Sequence, residues 1–139
     1  MLCSGNSCRS QIAEAFLRHY GGDAVEVASA GSEPKKVHPL TIRALAEVSL
    51  DISGARSKHL DEFIDRSWDY VITVCDAAGE RCPIFPGPAR RLHWPFDDPP
   101  RAPGPPEAQF QVFRRVRDEI QTQVRSWLCT ELGMDVAPS

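Results

Sequence analysis

The sequence has no long hydrophobic run and no excess of charge of one sign. In 139 residues, no apolar stretch approaches the roughly 18 residues that a membrane span needs, and no apolar segment follows the start as in a secretory signal peptide. Lys and Arg total 16 and Asp and Glu total 19, so the formal net charge of −3 indicates no basic surface for nucleic acid. We therefore expect neither nucleic acid nor a membrane as a partner.

The composition is that of an ordinary globular protein, with 42% hydrophobic and 25% charged residues. This length predicts one domain, residues 1–132, followed by a flexible tail, residues 133–139. The five cysteines are an odd number, and one of them, Cys3, lies almost at the start. Without a secretory signal they fit a reducing cytoplasm, where a disulfide is transient and catalytic.

Hydrophobic periodicity predicts helices that alternate with strands. The predicted helices cover residues 10–20, 39–50, 60–66 and 107–128, and the predicted strands cover residues 25–29, 70–74 and, briefly, 92–94. Nine of the twelve prolines lie between Pro83 and Pro106, so that stretch is expected to be mostly loop. The alternation favours an α/β domain with a parallel sheet.

The first loop, residues 3–10, has the composition of an oxyanion-binding loop. Gly5 and Asn6, between Cys3 and Arg9, tolerate unusual backbone conformations. Such a loop can turn successive N–H groups toward one point, where the dipole of the following helix favours a thiolate. Arg9 offers a fork for two oxygens, and Ser10 either stabilises the thiolate or caps the helix. The candidate oxyanion-binding residues are Ser4, Gly5, Asn6, Ser7, Cys8, Arg9 and Ser10.

The alternative interpretation of this oxyanion loop is a glycine-containing turn before a capped helix. Cys3 would then be a small apolar residue of the core. The clustering of small and polar residues between Cys3 and Arg9 favours the oxyanion site.

Two further cysteines follow the strand predicted at residues 70–74. Cys75 comes directly after it, and Cys82 lies seven residues later. Strand ends in an open α/β sheet border the ligand crevice, so Cys75 would start within reach of Cys3 and Cys82 within reach of Cys75. Their spacing is that of neither a zinc ribbon nor a thioredoxin motif, so we expect no metal. The alternative is that Cys75 belongs to the core and that Cys82 is incidental.

Asp98 directly precedes two prolines in the proline-rich stretch. Proline stiffens the chain and can hold a carboxyl group over a pocket, where it protonates a departing oxygen. Asp97 is the competing choice, and turn capping is the alternative for both. We expect Cys8 to be structural and Cys129 to be incidental.

The oxyanion loop resembles the phosphate-binding loop of the low-molecular-weight protein tyrosine phosphatase fold, and the longer string through Glu14 resembles the arsenate reductases built on that fold. The resemblance extends from Cys3 to about Leu128. Its further motifs are Gln11, Ala13, Ser29-Ala30-Gly31, Asp51-Ile52-Ser53, Cys75 with Cys82, His93-Trp94, Phe96-Asp97-Asp98-Pro99 and Arg115-Val116-Arg117-Asp118-Glu119-Ile120. The resemblance implies a three-layer α/β sandwich with a small parallel sheet.

The resemblance also implies arsenate reduction through a redox-active disulfide. The Cys3 thiolate attacks arsenic, and Asp98, which directly precedes the proline as in the family, protonates the leaving hydroxyl. Cys75 then attacks Cys3 and arsenite leaves, after which Cys82 attacks Cys75 and thioredoxin reduces the resulting disulfide. The implied protein is a cytoplasmic monomer for arsenic detoxification that binds no cofactor and for which phosphate and sulfate are competing oxyanions.

Three alternatives remain at this point. The first is a tyrosine phosphatase that uses Cys3, Arg9 and Asp98, although residues 100–104, directly after the acid-proline pair, include no aromatic residue here. The second is a non-catalytic oxyanion-binding module. The third is a small-thiol and glutaredoxin-like electron donor, which generally needs no intramolecular pair such as Cys75 and Cys82.

The sequence departs from the resembled family at two places. Some members hold potassium with residues like Asn6, Glu14 and Ser29 and an aspartate, but Lys58 takes the aspartate position here, so we expect its ammonium group to replace the ion. In the resembled fold a full strand precedes the nucleophile, whereas only two residues do so here. We therefore expect a truncated first strand and a natural chain that begins upstream of Met1.

Overall fold

Four short parallel strands form the sheet at the centre of the fold. The computed structural model describes residues 1–75 and 84–136. The strands are β1 (Leu2–Cys3), β2 (Ala30–Gly31), β3 (Tyr70–Thr73) and β4 (Arg90–His93), in the spatial order β2-β1-β3-β4. All neighbouring pairs run parallel, which confirms the predicted α/β class with a small parallel sheet.

Three α-helices accompany the sheet within the described residues. They are α1 (Arg9–Gly21), α2 (Pro39–Ala46) and α3 (Pro106–Leu132), and short 3₁₀ turns cover Gly22–Ala24, Leu60–Phe63 and Pro99–Arg101. Helix α3 begins with a proline, whose fixed φ suits a first turn, and ends at Gly133 with φ 66°. None of the helices in residues 1–75 and 84–136 is both long and apolar enough to cross a membrane.

The two faces of the sheet carry separate hydrophobic clusters. Side chains of α1 and α3 form the larger cluster with Cys3, whereas the smaller one contains Leu2, Val71 and Phe85. Successive side chains of a strand point to opposite faces, so Leu2 and Cys3 fall on different sides of β1. Cys3, the candidate nucleophile, therefore faces α1, which begins at the end of the oxyanion loop.

Some predicted elements differ from the observed ones. The prediction of a strand at residues 25–29 is wrong: parallel pairing begins at Ala30 and Gly31, because their partner strand contributes only Leu2 and Cys3 to the ladder. The second helix ends earlier than predicted because the chain turns through Ser49, whose φ is 66°. The predicted helix at residues 60–66 is a short 3₁₀ turn.

A cavity of about 280 Å³ lies between residues 24–30 and residues 67–72. Beside it, the Met1 backbone makes two hydrogen bonds just outside the paired strands: its amino group donates to Ala28 O at 2.8 Å and its carbonyl accepts from Ala30 N at 3.0 Å. The expectation that residues precede Met1 stays a prediction.

The chain after α3 packs back onto the protein. Met134 contacts the larger hydrophobic cluster, and Arg125 Nε donates to Val136 O at 2.8 Å. Residues 137–139 lie outside the described residues, so flexibility of the tail stays a prediction.

Candidate active site

The carbonyl groups of the oxyanion loop turn away from the loop's interior. Ser4 O accepts from the backbone N–H of Glu33 at 2.9 Å, and Gly5 O accepts from that of Lys35 at 2.8 Å. The chain leaving β2 thus forms an outer layer around the first half of the loop.

Side chains continue this outer layer around the second half of the oxyanion loop. Gln11 Nε2 donates to Asn6 O at 3.1 Å, and Ser57 Oγ lies 2.7 Å from the same oxygen. Thr41 Oγ1 donates to Ser7 O at 3.1 Å. Gln11 belongs to the motif that carries the resemblance, but its bond could not be predicted from the sequence. Ser57 and Thr41 carry no local pattern, and their partners lie on another segment.

Outward carbonyls imply inward amides, because C=O and N–H point in opposite directions across a trans peptide. The Cys8 carbonyl is likewise occupied, as it accepts the Ile12 N–H at 2.9 Å. The amide of Asn6 shows the resulting direction, since it donates to Cys3 Sγ at 3.2 Å. The loop therefore has the backbone arrangement that an oxyanion site at a helix N-terminus requires.

Cys3 is buried and accepts a second hydrogen bond in its charged form. Its Sγ lies 2.9 Å from Ser10 Oγ, which in turn accepts from Asn6 Nδ2 at 2.8 Å. Because the amide of Asn6 can only donate there, the hydroxyl proton of Ser10 is available for the sulfur. Of the two roles predicted for Ser10, the structure supports stabilisation of the thiolate, since the N-cap residue of α1 is Cys8.

Asn6 connects the oxyanion loop to two distant segments. Its φ is 48°, a left-handed conformation that asparagine tolerates, and its side chain is fully buried. Nδ2 donates to Ser29 Oγ at 2.9 Å, while Oδ1 accepts from the backbone N–H of Lys58 at 2.8 Å. The sequence indicated the backbone role of Asn6, and the resemblance grouped Asn6 with Ser29 and Lys58, but neither predicted these hydrogen bonds.

Gly31 lies against the oxyanion loop where no larger residue fits. A Cβ atom at this position would lie 2.4 Å from Ser4 O and 2.9 Å from Cys3 O, both of which are backbone atoms. The absent side chain thus lets β2 approach the loop closely.

Arg9 and Asp98 lie beside each other at this loop. Arg9 Nη2 is 3.6 Å from Asp98 Oδ1, and Arg9 Nη1 donates to Phe96 O at 3.1 Å. Asp97 instead pairs with Arg115 on α3 at 2.8 Å, in an exposed position. Of the two neighbouring carboxyl groups, Asp98 is therefore the one placed to act with Arg9.

Cys75 lies at the end of the strand next to that of Cys3. Val74 N donates to Leu2 O at 2.9 Å, so the chain leaving β3 still runs beside β1. Cys75 is fully buried and belongs to the same hydrophobic cluster as Cys3. Cys82, the predicted final thiol, lies outside the described residues.

The other two described cysteines differ from Cys3 in their surroundings. Burial raises the pKa of the Cys8 thiol to about 12, which keeps it protonated near neutral pH. Cys129 is half-buried near the end of α3. Neither arrangement favours a nucleophile.

Lys58 and Glu14 form a largely buried ion pair beside the oxyanion loop. Lys58 Nζ is 3.8 Å from Glu14 Oε1 and donates to Arg56 O at 3.1 Å. Within the described part of the chain, no group of three or more His, Cys, Asp or Glu residues is arranged to hold a metal ion.

Comparisons with known proteins agree with this geometry. The sequence model of the family described as "Low molecular weight phosphotyrosine protein phosphatase" matches residues 1–137. The chain is 44% identical over 126 residues to an arsenate reductase of Shouchella clausii, which covers 91% of each protein. It is also similar to a solved arsenate reductase in the phosphate binding state, with 32% identity, a TM-score of 0.72 and coverage of 92% of this chain and 93% of that chain. A thioredoxin-dependent arsenate reductase from Corynebacterium glutamicum is 36% identical, with a TM-score of 0.70 and coverage of 96% of this chain and 61% of that chain.

Proposed function

The chain belongs to the low molecular weight phosphotyrosine protein phosphatase family, and within that family we propose that it reduces arsenate to arsenite. The similarity to arsenate reductases supports this reaction. The structural observation that carries the proposal is the placement of Cys75, a second buried thiol at the end of the strand beside Cys3. Phosphate-ester hydrolysis has no use for such a thiol, whereas reduction of arsenic through an intramolecular disulfide requires one.

The oxyanion loop binds the substrate in this proposal. Arsenate is a tetrahedral oxyanion, so its oxygens accept from the inward amides and from the Arg9 guanidinium. Phosphate and sulfate have the same geometry and therefore compete for the loop. The outward carbonyls keep negative dipoles away from the bound anion.

The chemistry proceeds in three thiol steps. The Cys3 thiolate attacks arsenic, and Asp98 donates a proton so that one hydroxyl leaves as water. Cys75 then attacks Cys3 Sγ, the electron pair of the breaking sulfur–arsenic bond reduces As(V) to As(III), and arsenite leaves. Cys82 next attacks Cys75, which releases the Cys3 thiolate and leaves a Cys75–Cys82 disulfide.

Thioredoxin returns the protein to its reduced state in this scheme. Its dithiol reduces the Cys75–Cys82 disulfide by thiol–disulfide exchange and becomes a disulfide itself. Thioredoxin thus supplies two electrons for each arsenate that is reduced. A solved structure with 36% identity is named a thioredoxin-dependent arsenate reductase, which supports this electron donor. The proposal further places the protein in the cytoplasm as a monomer for arsenic detoxification, with no bound cofactor.

The deciding experiment measures arsenate-dependent oxidation of reduced thioredoxin by the native chain and by Cys82→Ser. The native chain should turn over, and the variant should stop after one arsenate. Cys129→Ser, which removes a thiol from the far part of α3, is the matched control and should behave as the native chain does. Unchanged turnover in Cys82→Ser would contradict the three-thiol relay.

A single-turnover assay without reductant separates a catalyst from a binding module. A catalyst should release arsenite and lose two thiols for each chain, whereas a binding module should retain both. Retention of both thiols would contradict arsenate reduction.

Phosphatase activity is the second candidate, because Cys3, Arg9 and Asp98 serve phosphoryl transfer equally well. Hydrolysis of an aryl phosphate should survive in Cys82→Ser, since that reaction needs only the first thiol. Efficient hydrolysis combined with no arsenate-dependent thioredoxin oxidation would favour the phosphatase.

A further inference from the structure

Two peptide units of the oxyanion loop are held by buried side chains from outside the loop. Thr41 Oγ1 on α2 donates to Ser7 O at 3.1 Å, and Gln11 Nε2 on α1 donates to Asn6 O at 3.1 Å. Thr41 is 0% exposed and Gln11 is 2% exposed. Each carbonyl has one further donor, the His38 N–H at 3.0 Å for Ser7 O and Ser57 Oγ at 2.7 Å for Asn6 O.

Both side chains make further bonds that fix their position. Gln11 Nε2 also donates to Arg56 O at 3.0 Å, which ties α1 to the segment before Lys58. Thr41 also hydrogen-bonds the Cys8 side chain. Neither the Thr41 hydroxyl nor the Gln11 amide group is exposed to water, so each depends on these protein partners for its hydrogen bonds.

Loss of either donor would leave its peptide unit held by one hydrogen bond in place of two. Each such bond contributes about 1 kcal/mol, so the peptide would leave its orientation more readily. Rotation of a carbonyl turns the next residue's N–H with it. For the Ser7 carbonyl the affected amide is that of Cys8, and for the Asn6 carbonyl it is that of Ser7.

We propose that Thr41 and Gln11 are positioning residues, which fix the amides of Cys8 and Ser7 toward the bound oxyanion without touching it. The inference rests on the proposed function only in taking this loop as the oxyanion site. It assigns to α1 and α2 a role in affinity that is separate from their role in the hydrophobic core.

The test is the affinity of the reduced chain for inorganic phosphate, measured by titration calorimetry. Thr41→Val keeps the shape of the side chain but removes one of the two donors to Ser7 O, and we expect it to raise Kd about fivefold. Thr41→Ser restores the donor and should bind phosphate within about twofold of the native chain. The matched control is Thr122→Val, because Thr122 Oγ1 makes a similar bond to Asp118 O at 3.1 Å on the exposed side of α3.

Gln11→Met removes one of the two donors to the neighbouring peptide, that of Asn6 and Ser7. Its phosphate affinity tests the proposal if Thr41→Val does not fold. Its control is Gln121→Met, since Gln121 Nε2 donates to Tyr20 Oη at 2.7 Å, between α3 and α1. A drop in the unfolding temperature alone would reflect a structural role, so Kd is the deciding quantity.

The outcomes separate this inference from the proposed function. Unchanged phosphate affinity in folded Thr41→Val or Gln11→Met overturns the inference, as does an equal loss in the control variants. A selective loss of affinity supports it even if the native chain fails to reduce arsenate, because phosphate binding involves no redox step.

Discussion

Arg9 Nη2 lies 3.6 Å from Asp98 Oδ1, so a buried guanidinium at the start of α1 meets a carboxyl group just before the 3₁₀ turn Pro99–Arg101. The same guanidinium donates to Phe96 O at 3.1 Å. Arg9 therefore holds the approach to α3 against the oxyanion loop. In the proposed reaction, the guanidinium that binds the oxyanion and the carboxyl group that donates the proton therefore lie side by side.

Asp98→Asn should lower kcat for arsenate reduction by about 10²- to 10⁴-fold, because the leaving hydroxyl loses its proton donor. Arsenate-dependent oxidation of thioredoxin measures this loss. The matched control is Asp97→Asn, which removes a carboxyl group that instead contacts Arg115 at 2.8 Å. Equal losses in the two variants would contradict the assignment of the acid.

Gly31→Ala should weaken phosphate binding and lower the unfolding temperature. The added Cβ would lie 2.4 Å from Ser4 O, a backbone atom that can move only with the oxyanion loop. Overpacking of this kind costs about 1–3 kcal/mol of stability. Gly54→Ala is the control, since nothing lies within 4 Å of a Cβ there. Native-like phosphate affinity in Gly31→Ala would show that the loop does not depend on this close approach.

Turnover should not depend on potassium, because the Lys58 ammonium lies 3.8 Å from Glu14 Oε1, beside the oxyanion loop. The rate of arsenate reduction is to be compared in potassium and sodium salts at equal ionic strength. Lys58→Ala leaves Glu14 without this ammonium partner and should lower turnover in either salt. A clearly faster turnover of the native chain in potassium than in sodium would contradict the hypothesis that Lys58 replaces an ion.

Glu47→Gln should destabilise the protein at neutral pH but not in strong acid. Hydrogen bonds from Arg114 and Arg117 lower the pKa of Glu47 from 4.5 to about 2. A carboxyl group with a depressed pKa in the folded state contributes stability above its ordinary pKa and loses it as the pH falls toward the depressed value. The difference in unfolding temperature between the native chain and Glu47→Gln should therefore shrink between pH 4.5 and pH 2.

The matched control for that measurement is Glu119→Gln, which removes an exposed carboxylate that pairs with Arg115 at 2.7 Å. We expect a smaller difference for this variant at neutral pH, because exposed single pairs contribute little. A constant difference between native protein and Glu47→Gln across the acid range would contradict the stated cause.

The elements with a strong periodic pattern were predictable from the sequence. The apolar stripe of α3, at spacings of three and four residues, predicts its buried face, and the β-branched run at residues 70–74 predicts β3. The strand predicted at residues 25–29 has an equally good local pattern. It fails because strand pairing depends on a partner elsewhere in the chain, and of residues 25–31 only Ala30 and Gly31 pair with the strand β1.

The residues of the candidate site likewise include some that were predictable from the sequence and some that were not. The residue types and spacing of Cys3, Arg9 and Asp98 carry recognisable chemistry, and a contact now joins Arg9 to Asp98. The outer partners of the loop, such as Thr41 and Gln11, could not be predicted, because a threonine or a glutamine in a helix is unremarkable until its acceptor is known.

The outward carbonyls of the oxyanion loop have a thermodynamic consequence. Their donors come from residues 33–41 and residue 57 as well as from α1, so the loop keeps its shape only while those segments stay docked. Anything that binds the folded loop and not the open one therefore stabilises the docked segments, by about 2.7 kcal/mol when a ligand is present at a hundredfold its Kd. A bound oxyanion therefore stabilises segments that it does not contact. This effect would be visible as slower exchange of the Lys35 amide proton, because that amide donates to Gly5 O on the outside of the loop.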